Sequence, residues 1–535
     1  MRRFGDVRSF ATGEALKKAG EVGHGLSIIL EGQVEATIER SVAGRRIPIV
    51  TQGAGEFVGE LAELAGRPAL ADAHATEPTK ALVVPSDRLR SLLIAEAELG
   101  ERIMRALILR RVGLLETGGG GPVILGRADN GDVLRLENFL RRNSHPHQRL
   151  DPDTDSDARA LIERFHVDPG QLPIVLCPQG QMLRNPSEDE LARCLGLVGP
   201  IDPERLYDVV IVGAGPAGLA AAVYAGSEGL SALVLDCRAR GGQAGASARI
   251  ENYLGFPTGI SGLALMARAS NQAQKFGVEM AIPDEATSLK AIDGSSKHFV
   301  LKLANNEQAR ARAVVIASGA RYRRLALPNL DEFEASSVHY WASPLEGKLC
   351  GGQEVVLVGA GNSAGQATVY LASQALKVWL LVRGANLATN MSRYLVDRIG
   401  GLANVQVLTR TEVAGLEGRD GMLQRVRWRN MSSGAEVLHE IRHLFLFIGA
   451  EPNTEWLAGS EVARDERGFV LTGPDAGADH HQLETTQPGI FAIGDVRSGS
   501  IKRVAAAVGE GAQVVAALHR YLSRLDAAAA VGAPH

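Results

Sequence analysis

Two glycine turns, each followed at a fixed distance by a charged residue, are the positions in this 535-residue chain best suited to holding a dinucleotide. The apolar run Val209-Val210-Ile211-Val212 leads into Gly213-Ala214-Gly215-Pro216-Ala217-Gly218, and Leu219 to Ala225 reads as a helix. In such a G-x-G-x-x-G turn Gly213 permits the tight bend, Gly215 lets the backbone approach a pyrophosphate, and Gly218 lets helix and strand pack closely. Asp236 closes the strand Ala232 to Leu235, 23 positions beyond Gly213, where its carboxylate can accept a ribose hydroxyl. The second turn, Gly359-Ala360-Gly361-Asn362-Ser363-Ala364, follows Val355 to Val358 and has alanine in the third glycine place. Here the residue 24 positions on is Arg383, which can pair with a 2′-phosphate that an acid would repel. The first turn is therefore expected to hold FAD and the second NADPH.

Other residues extend the first site. Ile490 to Ile493 ends in Gly494-Asp495 before a helix expected from about Ala505, so Asp495 can take hydrogen bonds from a ribityl chain. Gly242 and Gln243, with Asn252 further on, are placed to line the flavin ring. The four cysteines, Cys177, Cys194, Cys237 and Cys350, form no Cys-x-x-Cys pair, so neither a local redox dithiol nor a paired-cysteine zinc site is expected. Whether Cys177 and Cys194 meet in space is left open by the sequence, as is a redox role for any of the four.

These turns need elements to hold them, and the chain divides into four stretches. Residues 1–117 give short alternating strands such as Leu26 to Leu30 and Gln33 to Ile38, then a helical period from Ser86, which predicts a β-barrel or jelly roll followed by helix. Gly118 to Gly121 reads as a linker, and residues 122–198 alternate strand and helix as a small α/β layer. Residues 205–325 and 448–526 form the first dinucleotide domain, with the second, residues 326–447, nested inside it. The expected fold is multidomain: a β-barrel, a small α/β unit and two interleaved Rossmann-like domains.

Composition limits the rest. With 57 basic and 61 acidic side chains the net charge is −4, without the basic stripe that nucleic acid requires. No apolar stretch follows Met1-Arg2-Arg3, and the long uncharged run Val209 to Ala225 is a strand-turn-helix rather than a membrane span. So few thiols favour a reducing compartment, and a cytoplasmic protein is expected.

From about Tyr207 to Leu522 the chain resembles the thioredoxin-reductase-like flavoproteins. The resemblance is carried by the two turns and by Gly241-Gly242-Gln243, Glu251-Asn252-Tyr253, Ala317-Ser318-Gly319 and Gly494-Asp495. It implies a homodimer with FAD, NADPH in the inserted domain, and a domain rotation between flavin reduction and reoxidation. In that family a Cys-x-x-Cys precedes the NADPH-domain strand. Here Trp341 and Pro344 occupy the two cysteine places, and neither can form a thiolate. Hydride transfer to the flavin needs no cysteine, so that half of the reaction is expected to survive. Trp341 either covers the flavin face or packs in its loop, with packing favoured.

The first stretch resembles cyclic-nucleotide-binding domains through Gly55 to Ala62 and Gly66-Arg67-Pro68. The resemblance puts Glu60 at the ribose hydroxyl, but Ala69 stands where an arginine would grip the cyclic phosphate. Without that cation nucleotide binding should weaken severely, and a structural or docking role is expected. Arg67 would substitute only if the loop were redrawn. The second stretch resembles glutaredoxin and thioredoxin folds, with Pro173 at the cis-proline place and no cysteine in Gly126 to Asn130.

The function expected is an NADPH-dependent FAD oxidoreductase passing electrons to an unidentified acceptor, with a small redox protein among the candidates. The alternatives are a thioredoxin-disulfide reductase using other cysteines, a ferredoxin or flavodoxin reductase, and a low-turnover redox or nucleotide sensor.

Overall fold

The computed structural model describes residues 2–40, 45–117, 121–164, 167–178, 180–247, 249–292, 298–334, 336–342, 344–419, 421–478 and 480–532. The largest sheet has seven strands. Leu206–Val212 lies at its middle, parallel to Ala232–Leu235 on one side and to Gln308–Ile316 on the other. Val209, Val210 and Ile211 are fully buried, because helices cover both faces and a parallel central strand then has no polar side. The chain leaves this sheet after Gln308–Ile316, builds a second sheet, and returns so that Ile490–Ala492 pairs parallel with Val314, Val315 and Ile316. The helix Val504–Gly532 then packs along Pro216–Ser227. A Cβ at Gly511 would stand 2.6 Å from the Ala217 carbonyl oxygen, so the two helices meet too closely for a side chain there.

The second sheet is five-stranded and parallel, in the order Val338–His339, Leu444–Leu446, Glu354–Val358, Lys377–Val382, Val405–Thr409. An antiparallel ribbon of Thr411–Arg419, Met422–Asn430 and Glu436–His439 follows it.

Towards the N-terminus, eight strands form two four-stranded antiparallel sheets, followed by the helices Ser86–Ala95 and Ala97–Thr117. Residues 121–198 form a separate four-stranded sheet in the order Gln148–Leu150, Val123–Leu125, Ile174–Leu176, Met182–Arg184, with a cis peptide at Leu172-Pro173. Met182–Arg184 is a strand that the sequence pattern does not mark. Three residues are too few for alternation to register, and the pairing of Met182 with Leu176 in the neighbouring strand is what extends it. One apolar core runs from Ile124, Phe139 and Leu195 into Val210 and Leu233, so this sheet and the central one are packed as a single body.

Cys177 and Cys194 form a disulfide, with Cα atoms 6.5 Å apart. It joins the end of Ile174–Leu176 to the last turn of Glu188–Cys194. The thiol count favoured a reducing compartment because no spacing suggested a bridge; the hairpin and helix fold back to make the pair. Cys237 and Cys350 are free thiols. Among the described residues no helix is long and apolar enough to cross a membrane, and no cluster of side chains could hold a metal.

Candidate functional site

A cleft of about 520 Å³ lies between the seven-stranded and the five-stranded sheets. Its floor is the first glycine turn. Gly213 has φ +116°, and a Cβ there would sit 2.1 Å from the Ala317 carbonyl oxygen. A Cβ on Gly218 would sit 1.8 Å from the Gly213 carbonyl oxygen, which is how the helix Pro216–Ser227 comes so close beneath the strand. Gly213, Gly215, Pro216 and Ala217 line the cleft, while Gly218 supports it from below.

Asp236 lines the same cleft. One carboxylate oxygen accepts the Ala214 N–H at 2.8 Å, and the other accepts the Arg238 and Ala239 N–H groups at 3.0 and 3.3 Å. Burial nevertheless raises its pKa above the ordinary aspartate range, outweighing these hydrogen bonds and the nearby Arg142. Gly242, Gln243 and Gly319 contribute to the wall, with Gln243 Nε2 donating to the Ala320 carbonyl at 2.5 Å. Gly494 and Asp495 close the other end. Glu510, on the C-terminal helix, fixes that turn by accepting the Gly494 N–H and an Arg497 N–H, both at 2.6 Å. Burial raises Asp495, and Lys502 acts against it.

Residues of the second turn are distributed differently. Ser363 reaches the cleft, with Gln366, Ala367 and Tyr370 from the same helix, Asn362–Ala372. Gly359, Gly361, Asn362 and Ala364 lie behind it. The space where a Gly361 side chain would stand is open, and the Asn362 side-chain oxygen accepts the Ser392 N–H at 2.7 Å. Arg383 is exposed beyond the end of Lys377–Val382. Asn252 is exposed and does not line the cleft; its neighbour Glu251 does, because the loop turns the asparagine outward.

Trp341 lines the cleft, half-buried, and its indole N–H donates to Glu346 at 3.1 Å. Its ring lies 6.3 Å from that of Tyr322, which stacks on Tyr340 at 5.6 Å. Arg142, from the helix Gly131–Arg142, lies over Trp341 at 5.5 Å and donates to the Gly242 carbonyl at 3.3 Å. Sequence reasoning missed Arg142, Tyr322 and Glu346. Tyr322 and Glu346 stand near recognised motifs, but no local signal marks Arg142, which comes from another sheet's helix.

A protein-family model described as pyridine nucleotide-disulphide oxidoreductase matches residues 207–511, more than half of the chain. The chain belongs to that family. Among relatives of this oxidoreductase, thioredoxin reductase of Bacillus subtilis (strain 168) is 32% identical over 323 residues, covering 60% of this chain and 97% of that protein. NADPH-dependent thioredoxin reductase 3 of Arabidopsis thaliana is 32% identical over 330 residues, covering 60% and 59%. The crystal structure of Lactococcus lactis thioredoxin reductase in its FR conformation is similar with a TM-score of 0.54 at 28% identity, covering 59% of this chain and 99% of that one. The T. acidophilum thioredoxin reductase structure also gives a TM-score of 0.54, at 29% identity, covering 60% and 100%.

This oxidoreductase is therefore NAD(P)H-dependent, with FAD and NADPH as the family's cofactors. The residues present fit them: a glycine cradle that side chains would fill, a half-buried acid at its rim, and a second turn whose Ser363 and following helix reach the same cleft. A second family model, the cyclic nucleotide-binding domain, matches residues 7–96. In that stretch Glu60 accepts the Leu70 and Ala71 N–H groups at 3.0 and 3.1 Å and has Lys17 at 3.5 Å. Ala69 is buried and brings no charge.

Proposed function

We propose that this oxidoreductase passes electrons from NADPH through FAD to a small redox protein, without a dithiol in its own NADPH domain. When bound, NADPH and FAD would supply the hydride-transfer chemistry. The chain's residues bind and orient. Gly213, Gly215 and Gly218 admit the pyrophosphate of FAD, Asp236 holds its ribose, and Asp495 faces the ribityl chain; Gly242, Gln243 and Gly319 line the ring. Gly359, Gly361, Ser363 and Ala364 receive NADPH, Asn362 braces that turn, and Arg383 meets the 2′-phosphate. Trp341 shields the flavin end of the cleft from water, held by Glu346 on one side and Arg142 on the other.

One observation carries this reading: helices from both glycine turns face a single cleft that also contains Trp341, in the place of a cysteine. The proposal assigns residues 205–325 and 448–526 to FAD, 326–447 to NADPH, 122–198 to a thioredoxin-like unit and 1–117 to a jelly roll. The sheet order of the 122–198 stretch supports its assignment. A homodimer in the cytoplasm is the proposed setting, and the jelly roll docks rather than senses a cyclic nucleotide.

Anaerobic stopped-flow spectrophotometry tests it. NADPH should bleach the flavin of the purified chain, and reoxidation should be fast with an added small redox protein even after the chain's disulfide has been reduced and its four cysteines alkylated. Colourless protein that cannot be reconstituted with FAD overturns the reading. The Cys177–Cys194 disulfide supports a second reading, a thioredoxin-disulfide reductase using these cysteines. In that case Cys194→Ser would abolish acceptor turnover while leaving flavin reduction intact.

A further inference from the structure

Where the N-terminal strands, the four-stranded sheet and the central sheet meet, a second pocket of about 120 Å³ is walled by arginines from all three. Arg67 comes from the loop before the buried Ala69, Arg111 from the helix Ala97–Thr117, and Arg240 from the loop after the first site's Asp236. Arg142 closes the side nearest the cleft. Among the described residues none of Arg67, Arg111 and Arg240 has a carboxylate within ion-pair distance. Arg111 donates from Nε to the Ser144 carbonyl at 3.0 Å, whereas Arg240 Nε and Nη2 are sealed from solvent with no hydrogen-bond partner. Burial lowers the pKa of all three; repulsion from neighbouring arginines adds to it for Arg67 and Arg240, whereas Glu60 acts the other way on Arg111. Burial, with Arg111 and Arg67 nearby, pushes the adjoining His145 down to about 3, so that ring adds no charge.

Unpaired guanidinium groups gathered in a closed space are costly unless something negative joins them. We propose that this pocket binds a compact phosphate-type oxyanion. Its volume of about 120 Å³ is more than a single water needs and admits a phosphate group. Arginine forks match tetrahedral oxyanions through paired N–H donors, and Asn271 and Gln274 add neutral polar groups to the wall. Glu60 and Ala69 do not line this pocket, although their neighbours Leu61, Ala62, Pro68 and Leu70 do. An anion here joins three parts of the molecule. Through Arg142, which also touches Gly242 and lies over Trp341, it bears on the cofactor cleft.

Titration calorimetry on the FAD-loaded full chain tests this, with inorganic phosphate and cyclic AMP as separate probes and chloride at matched ionic strength as control. Saturable binding of inorganic phosphate is expected if the free anion is the ligand. Binding of cyclic AMP without binding of inorganic phosphate would overturn the proposal. Arg240→Gln should weaken the binding at least tenfold, and Arg67→Gln on the opposite wall should do the same. In chloride alone Arg240→Gln should melt no lower than the parent, because it removes an unpaired buried charge. Absence of saturable binding by either probe, or affinity unchanged in both variants, overturns the proposal.

Discussion

Gly218 shows how little space one residue has. Its missing Cβ would overlap the Gly213 carbonyl oxygen at 1.8 Å, so Gly218→Ala must push the helix Pro216–Ser227 away from the turn. We expect the variant to purify with a much smaller flavin content, read from visible absorbance per chain. Arg383 is a different case: exposed, unneeded for folding, and suited to a 2′-phosphate. A charge-assisted hydrogen bond contributes about 1.5–3 kcal/mol, so Arg383→Gln should raise the KM for NADPH about tenfold or more. The KM for NADH should stay within about twofold, and steady-state kinetics with both coenzymes would show the split. For Trp341→Ala, an altered flavin spectrum or NADPH reduction rate is expected if the ring shields the flavin. Unchanged values would leave it a packing residue.

Elements set the position of these residues. The turn at Gly494-Asp495 is held by Glu510 from the long C-terminal helix, so the last element of the chain fixes a wall of the cleft that the first glycine turn begins. The four-stranded sheet depends in part on its disulfide. Closing a loop with a sequence separation of 17 restricts the unfolded chain by about 3 kcal/mol. Cys194→Ser should therefore lower the free energy of unfolding by about 3 kcal/mol, read by fluorescence as a lower midpoint in urea. Under the proposed function it should leave NADPH-dependent flavin reduction at the parent rate.

At the scale of the whole molecule, three imidazoles are buried among the described residues. His339 Nε2 and His443 Nδ1 are 3.1 Å apart under Phe445, and His145 lies at the arginine junction. Burial comes first among the causes that push all three down to about 3 from 6.5. The unfolded chain therefore binds protons that the folded one refuses, and stability rises with pH. It should be fully present above about pH 6.5 and fall progressively as pH drops towards 3. Urea midpoints measured across that range should show the slope, and His443→Asn should flatten it. A slope unchanged by that substitution would remove the pair from the account.

What the sequence determined by itself was local. Both glycine turns, the acid and the arginine after them, and Gly494-Asp495 are legible because a tight turn and a strand-end charge depend on residues within a few tens of positions. The nesting of one sheet within the other could be read as well, since the second apolar run before a glycine turn interrupts the first style of sequence. Tertiary structure alone decided the rest. Asn252 turned outward while Glu251 turned in, Cys177 met Cys194, Arg142 crossed from one sheet to the cleft of another, and Arg67, Arg111 and Arg240 gathered from three parts of the chain. Contacts between distant segments follow from packing of apolar faces, which constrains where a backbone lies but leaves no spacing in the sequence for the polar side chains it brings together.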